Sequence, residues 1–384
     1  MARILADTRS RAAPGVGRKL LQVNWGLVFL VCVTSAIGIA MLYSAANGSW
    51  QPWATRQLVR FGIGLVILLA VAVIDIRFWW RYAYLIYGVL LALLVTVEIA
   101  GSIGMGAQRW INLGFIKLQP SELMKVGLVL ALARYFHGRS LEEVRRLRHL
   151  VIPALMVGVP AAMVLKQPDL GTALFLVMTG GAVFFIAGVR VWLFGIVLAA
   201  GAGAVPIVWH GLRAYQQNRV LTFLNPESDP LGAGYHILQS KIALGSGGLF
   251  GKGFMQGSQS HLNFLPERHT DFIFTMLAEE FGMVGGLTLL ALYLLIMIYG
   301  IAIGLRARNH FGRLTALGLT SMLFFYVFIN IAMVMGLIPV VGVPLPLISY
   351  GGTAMLTLMI GIGMMICVYV HRDVLISRHG NSTG

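Results

Sequence analysis

About ten apolar runs follow one another along the chain, each close to the length that crosses a bilayer. They lie near 24–46, 57–75, 79–100, 119–137, 150–166, 169–188, 191–209, 271–301, 314–338 and 348–371. The runs are continuous and do not alternate with a period of two. They therefore predict helices and not barrel strands, because a helix satisfies its own backbone in lipid. The first run is too long for a leader and lacks a small-residue cleavage site, so it predicts a permanent span. The expected architecture is an all-α polytopic membrane protein with about ten transmembrane helices. A basic tail over 1–23 precedes one transmembrane domain over 24–371, and a short tail over 372–384 follows it.

One interval breaks the rhythm. Residues 210–270 separate the seventh and eighth runs, and loops of that length are functional or disordered. Within it, YHILQSKIAL (235–244) has apolar residues at helical spacing and predicts an amphipathic helix on the membrane surface. GSGGLFGKG (245–253) reads as a flexible segment with a superficial likeness to a phosphate loop. It lacks the glycine five residues before Gly251 and has Gly253 where serine or threonine is required, so a nucleotide site is rejected.

Composition agrees with the pattern. The chain is 58% hydrophobic and 11% charged, against about 25% charged for a soluble domain. Its mean hydropathy is +0.81, and its 46 glycines are of the kind that bilayer helices tolerate. A net charge of +15 would suit a nucleic-acid binder, but the charges sit in short segments between apolar runs, which excludes that class. Cys32 and Cys367 lie in the first and last runs and offer neither a disulfide framework nor metal-ligand spacing. They read as small hydrophobes.

Charge sets the orientation. With the N-terminus inside, most of the lysines and arginines fall on the cytoplasmic side, in the N-terminal tail, around 134–148 and near 306–313. The short outer loops hold only Arg56, Arg60, Arg109, Lys117 and Lys166. Both termini are then cytoplasmic, and the 210–270 loop is extracytoplasmic.

The candidate chemistry gathers on that outer face. Pro120 and Glu122 suit the start of a helix, and Lys125 shares a face with Glu122. Two readings stand: a neutralised helix start, or a functional ion pair inside a span. Asp169 in KQPDLGTAL (166–174) opens the sixth run as a helix cap or as part of a site. GVPLPLISYGG (342–352) is broken by prolines and glycines, and such backbone survives at membrane depth only when buried in protein or lining a wet cleft. PERHTDFIF (266–274) sets Glu267, Arg268, His269 and Asp271 at the mouth of the eighth run. Thr270 or Asp271 would serve as a simple cap. Alternatively, a partly desolvated carboxylate has its pKa raised toward the range of a general base. Arg109, Lys117, Lys125, Lys241 and Arg268 would then hold an anionic group such as a phosphate.

From Trp25 to His371 the chain resembles the SEDS family of polytopic membrane proteins (shape, elongation, division and sporulation). The resemblance rests on GAQRWINLG, QPSELMK, QPDLGTAL, FLPERHTDFIFTMLAEEFG and GLIPVVGVPLPLISYGG. PERHTDFIF and INIAMVMGLIPVVGVPLPLISYGG are similar to the elongation branch, RodA, whereas the division branch, FtsW, more often reads PEAHTDFIF. The resemblance implies a peptidoglycan glycosyltransferase that polymerises lipid II, an undecaprenyl-pyrophosphate-linked disaccharide peptide, at the outer face of the bacterial cytoplasmic membrane. By the same resemblance Asp271 is the catalytic base for an inverting transfer. Glu122, Lys125 and Asp169 shape the cavity, and Arg109, Lys117, Lys241, Arg268 and His269 meet the substrate. A divalent cation, magnesium or manganese, is compatible with a departing pyrophosphate, though the sequence shows no dedicated ligand set. The implied partners are a class B penicillin-binding protein transpeptidase, other elongation-complex membrane proteins and membrane lipids. Two other classes stay open. A lipid flippase would use polar groups at the midplane, for which Glu98, Glu279 and Glu280 are the candidates. A non-catalytic scaffold for the transpeptidase would tolerate Asp271→Asn. Glu279 in particular reads either as part of a proton path or as a buried hydrogen-bonded acid.

Overall fold

The computed structural model describes residues 15–104, 107–112, 117–211, 214–225, 233–258 and 268–377. A short helix α1 (Val16–Leu21) precedes α2 (Trp25–Ala45), α3 (Ala54–Val73) and α4 (Ile76–Ala100). An antiparallel sheet in the order β1 (Ser102–Gly104), β2 (Ala107–Asn112), β3 (Lys117–Leu118) leads into α5 (Pro120–His137). Then come α6 (Leu141–Val144), α7 (Val151–Lys166), α8 (Leu170–Ala187) and α9 (Val191–Gly211). The long interval holds α10 (Ala214–Leu224) and α11 (Ala233–Ser246), and α12 (Ile273–Arg306), α13 (His310–Val334) and α14 (Gly352–Val370) complete the chain. Every predicted apolar run forms a helix, so the chain is a multi-pass membrane protein. Seven of the helices are long and apolar enough to span by themselves: α2, α3, α4, α8, α12, α13 and α14. The sheet and α10 were not legible from periodicity.

The centre of the bundle is built on α5, α13 and α14. Almost all of α5 is buried, although it carries Glu122, Lys125 and Arg134. The helix ends sort into two sets. At one end Lys19 Nζ donates to the Val73 carbonyl (3.0 Å), Arg134 to that of Arg81 (2.7 Å), and the Arg308 amide to Arg372 (3.0 Å). At the other end lie the β-sheet, the start of α8, the turn before α12 and the broken segment before α14. The arginine-rich intervals and the candidate chemistry therefore occupy opposite ends.

The predicted amphipathic helix is α11. Its Ser240 hydroxyl bonds to that of Thr275 (2.8 Å) and to the Val334 carbonyl (2.8 Å), docking one face on α12 and α13 while Lys241 and Ile242 are exposed. The segment after α11 differs from the expected flexible loop. Gly282, with φ +68° and ψ −162°, breaks α12 in a conformation open essentially only to glycine. The break frees backbone groups that lipid cannot satisfy. Residues 248–253 supply the partners: the Lys252 and Gly253 amides donate to the Glu279 and Glu280 carbonyls (both 3.0 Å), and the Met283 and Val284 amides donate to Gly248 (2.9 Å) and Leu249 (3.1 Å). A Cβ at Gly251 would stand 2.1 Å from the Glu280 carbonyl oxygen, so the glycines permit this docking.

Candidate active site

The turn that carries Asp271 is held by its backbone. His269 O accepts from the Tyr350 amide (2.9 Å), Thr270 O from the Ser349 hydroxyl (2.6 Å), and Asp271 O from Asn330 Nδ2 (2.9 Å). Three consecutive carbonyls are thus fixed to α13 and to the broken 343–350 segment. Asn330 also donates to the Val343 carbonyl (2.7 Å), so one amide ties both strands of the site together. The Ser349 hydroxyl in turn accepts from the Leu345 amide (2.8 Å). This clamp leaves the Asp271 side chain half-buried, with Oδ2 beside Gly342, whose φ of +71° favours glycine. A Cβ there would lie 3.5 Å from that oxygen.

Aromatic and cationic groups surround the turn. The His269 ring stacks on Trp53 at 4.4 Å and 12°, and Tyr350 lies 6.0 Å from it. Arg60 sits over the Tyr350 ring at 4.6 Å, within cation–π range. Gln57 donates to the Ser349 carbonyl (3.0 Å). Arg268 is buried, and burial lowers its pKa from a usual value so high that the guanidinium stays charged.

Arg109 and Asp169 form a second cluster at the same end. Arg109 donates to the carbonyls of Pro168 (2.5 Å) and Gln167 (3.3 Å) and approaches Asp169 Oδ2 at 3.4 Å. Asp169 also caps α8 by accepting from the Thr172 amide (3.1 Å), which is the cap reading of this acid. Two residues on, Gly171 abuts the Val341 carbonyl, where a Cβ would stand only 2.8 Å away. Val341 precedes Gly342, which places this ion pair in the neighbourhood of Asp271. Lys117 is exposed, and its carbonyl accepts from Thr353 Oγ1 (3.0 Å), seating β3 on the start of α14.

Glu122 and Lys125 are both buried on α5. Lys125 Nζ meets Glu122 Oε1 at 2.7 Å and the Tyr326 hydroxyl at 2.7 Å, and Tyr326 donates to Glu122 Oε2 (2.5 Å). The ammonium also sits over the rings of Phe175 (4.3 Å) and Tyr326 (4.4 Å). Tyr326 is one turn before Asn330 on α13, about 6 Å along the axis. The closed triad therefore supports the clamp from below. Lys241 stands apart on α11, exposed and without an acidic partner among the described residues. Glu267 lies outside the described residues.

The remaining acids are engaged elsewhere. Glu279 is fully buried, 2.7 Å from Lys252 Nζ, and accepts from the Ser258 hydroxyl (3.3 Å). Glu280 accepts from the Ser44 hydroxyl (2.5 Å). Glu98 is at the end of α4, 3.7 Å from Lys166, and not at the midplane. No three His, Cys, Asp or Glu side chains converge as a metal site among the described residues. Sequence reasoning passed over Asn330, Trp53, Arg60 and Tyr350. Asn330 was detectable as a lone polar residue inside an apolar run.

Residues 18–374 match the model of a family described as cell cycle protein, FtsW/RodA/SpoVE. The chain belongs to this family. It is 45% identical over 349 residues to the peptidoglycan glycosyltransferase MrdB of Escherichia coli (strain K12), covering 91% of this chain and 94% of that protein. The peptidoglycan glycosyltransferase RodA of Treponema pallidum is 32% identical over 433 residues, covering 91% and 98%. Among solved structures, a chain from work on the structural coordination of polymerization and crosslinking by a peptidoglycan synthase complex has a TM-score of 0.80 at 36% identity, covering 91% of this FtsW/RodA/SpoVE member and 98% of that chain. The rod shape determining protein RodA of Thermus thermophilus has a TM-score of 0.70 at 32% identity, covering 91% and 97%.

Proposed function

We propose that this chain is a peptidoglycan glycosyltransferase of cell elongation, which polymerises lipid II at the outer face of the bacterial cytoplasmic membrane. The observation that carries the reading is the clamp: three successive carbonyls of His269–Asp271 are fixed while the Asp271 side chain keeps access to solvent. Asp271 takes the proton from the acceptor sugar's 4-hydroxyl as that oxygen attacks the donor's anomeric carbon. The attack comes from the face opposite the leaving group, so the centre inverts and undecaprenyl pyrophosphate departs. Base catalysis supplies about 10²–10⁴-fold. The rest comes from positioning and from cations set against the developing diphosphate charge. Arg109, Lys117 and Arg268 take that task, a reading supported by their lying at the same end of the bundle as Asp271. His269, stacked on Trp53 and 6.0 Å from Tyr350, meets the sugar. A magnesium or manganese ion carried on the diphosphate would lighten the charge these residues meet.

The similarity to a chain studied in a peptidoglycan synthase complex supports a class B penicillin-binding protein as the partner that crosslinks the strands. A flippase is disfavoured because Glu279 and Glu280 are tied to Lys252 and Ser44, and Glu98 lies at a helix end. The test is glycan formation from lipid II by the purified chain in complex with a transpeptidase whose serine is disabled. Strands together with released undecaprenyl pyrophosphate are expected. No strands under conditions where a known polymerase works, with lipid II moved across vesicles, would put translocation in place of polymerisation.

A further inference from the structure

At the end of the bundle opposite Asp271, a cleft of about 480 Å³ opens between the α6 loop and the junction of α8 with α9. Arg145 and Arg190 line it together with Phe185, Gly188, Val189 and Val191. Both arginine side chains are exposed, and among the described residues neither has an acidic or carbonyl partner. The nearby acids do not neutralise them. Glu143 is occupied by the Ser140 amide (2.9 Å) and by Arg139 (3.3 Å), and Glu142 pairs with neither arginine among the described residues. Two like charges thus line one cavity with no paired acid among the described residues, an arrangement that favours an anion.

The opposite wall is apolar. Phe185 and Val191 are 60% and 67% exposed, and the Phe185 ring packs edge-on against Phe194 at 6.0 Å. Beyond Phe194, every residue of α9 from Gly195 to Gly203 is exposed. Exposed apolar surface on α9 therefore begins beside the cationic cleft, next to its lining residue Val191. A cavity with guanidinium groups at the water side and an aromatic wall running into lipid matches an amphiphile with an anionic head. The arginine excess at this end also places it at the cytoplasmic leaflet.

We propose that this cleft binds the phosphate headgroup of an anionic phospholipid, with an acyl chain laid along Phe185 and α9. Arg145 and Arg190 hold the phosphodiester, and the lipid fills the space that separates α9 from α8.

Native mass spectrometry of the purified full-length chain, titrated with phosphatidylglycerol or with phosphatidylcholine, reads the site directly. The wild type is expected to retain one phosphatidylglycerol under conditions that strip phosphatidylcholine. Arg145→Gln combined with Arg190→Gln weakens that retention by roughly 30-fold, at about tenfold per 1.4 kcal/mol with two arginines removed. Arg146→Gln combined with Arg148→Gln removes the same charge outside the cleft and leaves retention as in the wild type. All four side chains are exposed, so these variants keep the fold, which circular dichroism checks. Equal loss from both double variants, or equal retention by wild type and cleft variant, overturns the proposal. Thermal protection of the wild type by inorganic phosphate as full as that by the lipid would assign the cleft to the free anion and overturn the lipid assignment.

Discussion

Asp271 and Glu279 stand eight residues apart, and the structure gives their carboxylates opposite surroundings. Around Asp271 the backbone is pinned by Asn330, Ser349 and Tyr350 while the side chain stays half-buried at the end of the bundle. Around Glu279 it is the side chain that is pinned, fully buried against Lys252 at the break in α12. A carboxylate that must exchange protons with a bound sugar needs a fixed base and an accessible head. A carboxylate that joins a docked segment to a broken helix needs a buried partner. Under the proposed function, that difference separates the reacting group from a structural one on the same stretch of chain.

The sharpest way to break the structural side is Lys252→Met. It removes the cation 2.7 Å from the fully buried Glu279, and breaking a buried pair costs about 3–5 kcal/mol. A large drop in the thermal midpoint of the purified protein is expected. Glu279→Gln should cost less, because Lys252 is partly exposed and can turn to water. An unchanged midpoint for Lys252→Met would remove the distinction.

A smaller stability effect with a larger activity effect is expected from Asn330→Ala. It leaves the Asp271 and Val343 carbonyls without their donor, at about 1–3 kcal/mol for each group left unsatisfied. Loss of positioning on the scale of an ångström lowers turnover by roughly 10²-fold. Polymerisation assayed beside thermal melting separates the two effects. A variant that melts early yet polymerises normally would show that the clamp is not part of the chemistry.

The smallest effect is expected from a third carboxylate at the opposite end of the bundle. Glu143 completes a capping box with Ser140, and the Ser140 amide, followed by Arg139, lowers its pKa from the usual carboxylate value. A lowered folded pKa contributes stability above the unfolded value, lost as pH falls through the folded one. Protection of the 140–145 amides, corrected for the intrinsic pH dependence of exchange, should fall on acidification, and Glu143→Gln should remove that fall without touching polymerisation.

The helical framework was legible because spans of apolar residues have one economical solution in lipid. The amphipathic helix α11 was legible for the same reason, from its spacing alone. Which broken segment would meet which turn was not, because the Ser349–Thr270 and Asn330–Asp271 bonds join residues far apart in sequence and carry no periodic signal. The break at Gly282 was hidden since glycine is ordinary in membrane helices. The segment 245–253 was misread as flexible because its glycines serve close approach to that break. Glu122 and Lys125 were recognisable as a pair, but their closure by Tyr326 needed the fold.

The central claim is that the accessible carboxylate at the clamped turn performs the chemistry. Wild type and Asp271→Asn, each in intact complex with a transpeptidase lacking its serine, should be compared for glycan strands from lipid II. The account predicts strands from the wild type and a loss of 10²–10⁴-fold or more in the variant, with an unchanged thermal midpoint. Equal strand formation by both complexes would contradict it.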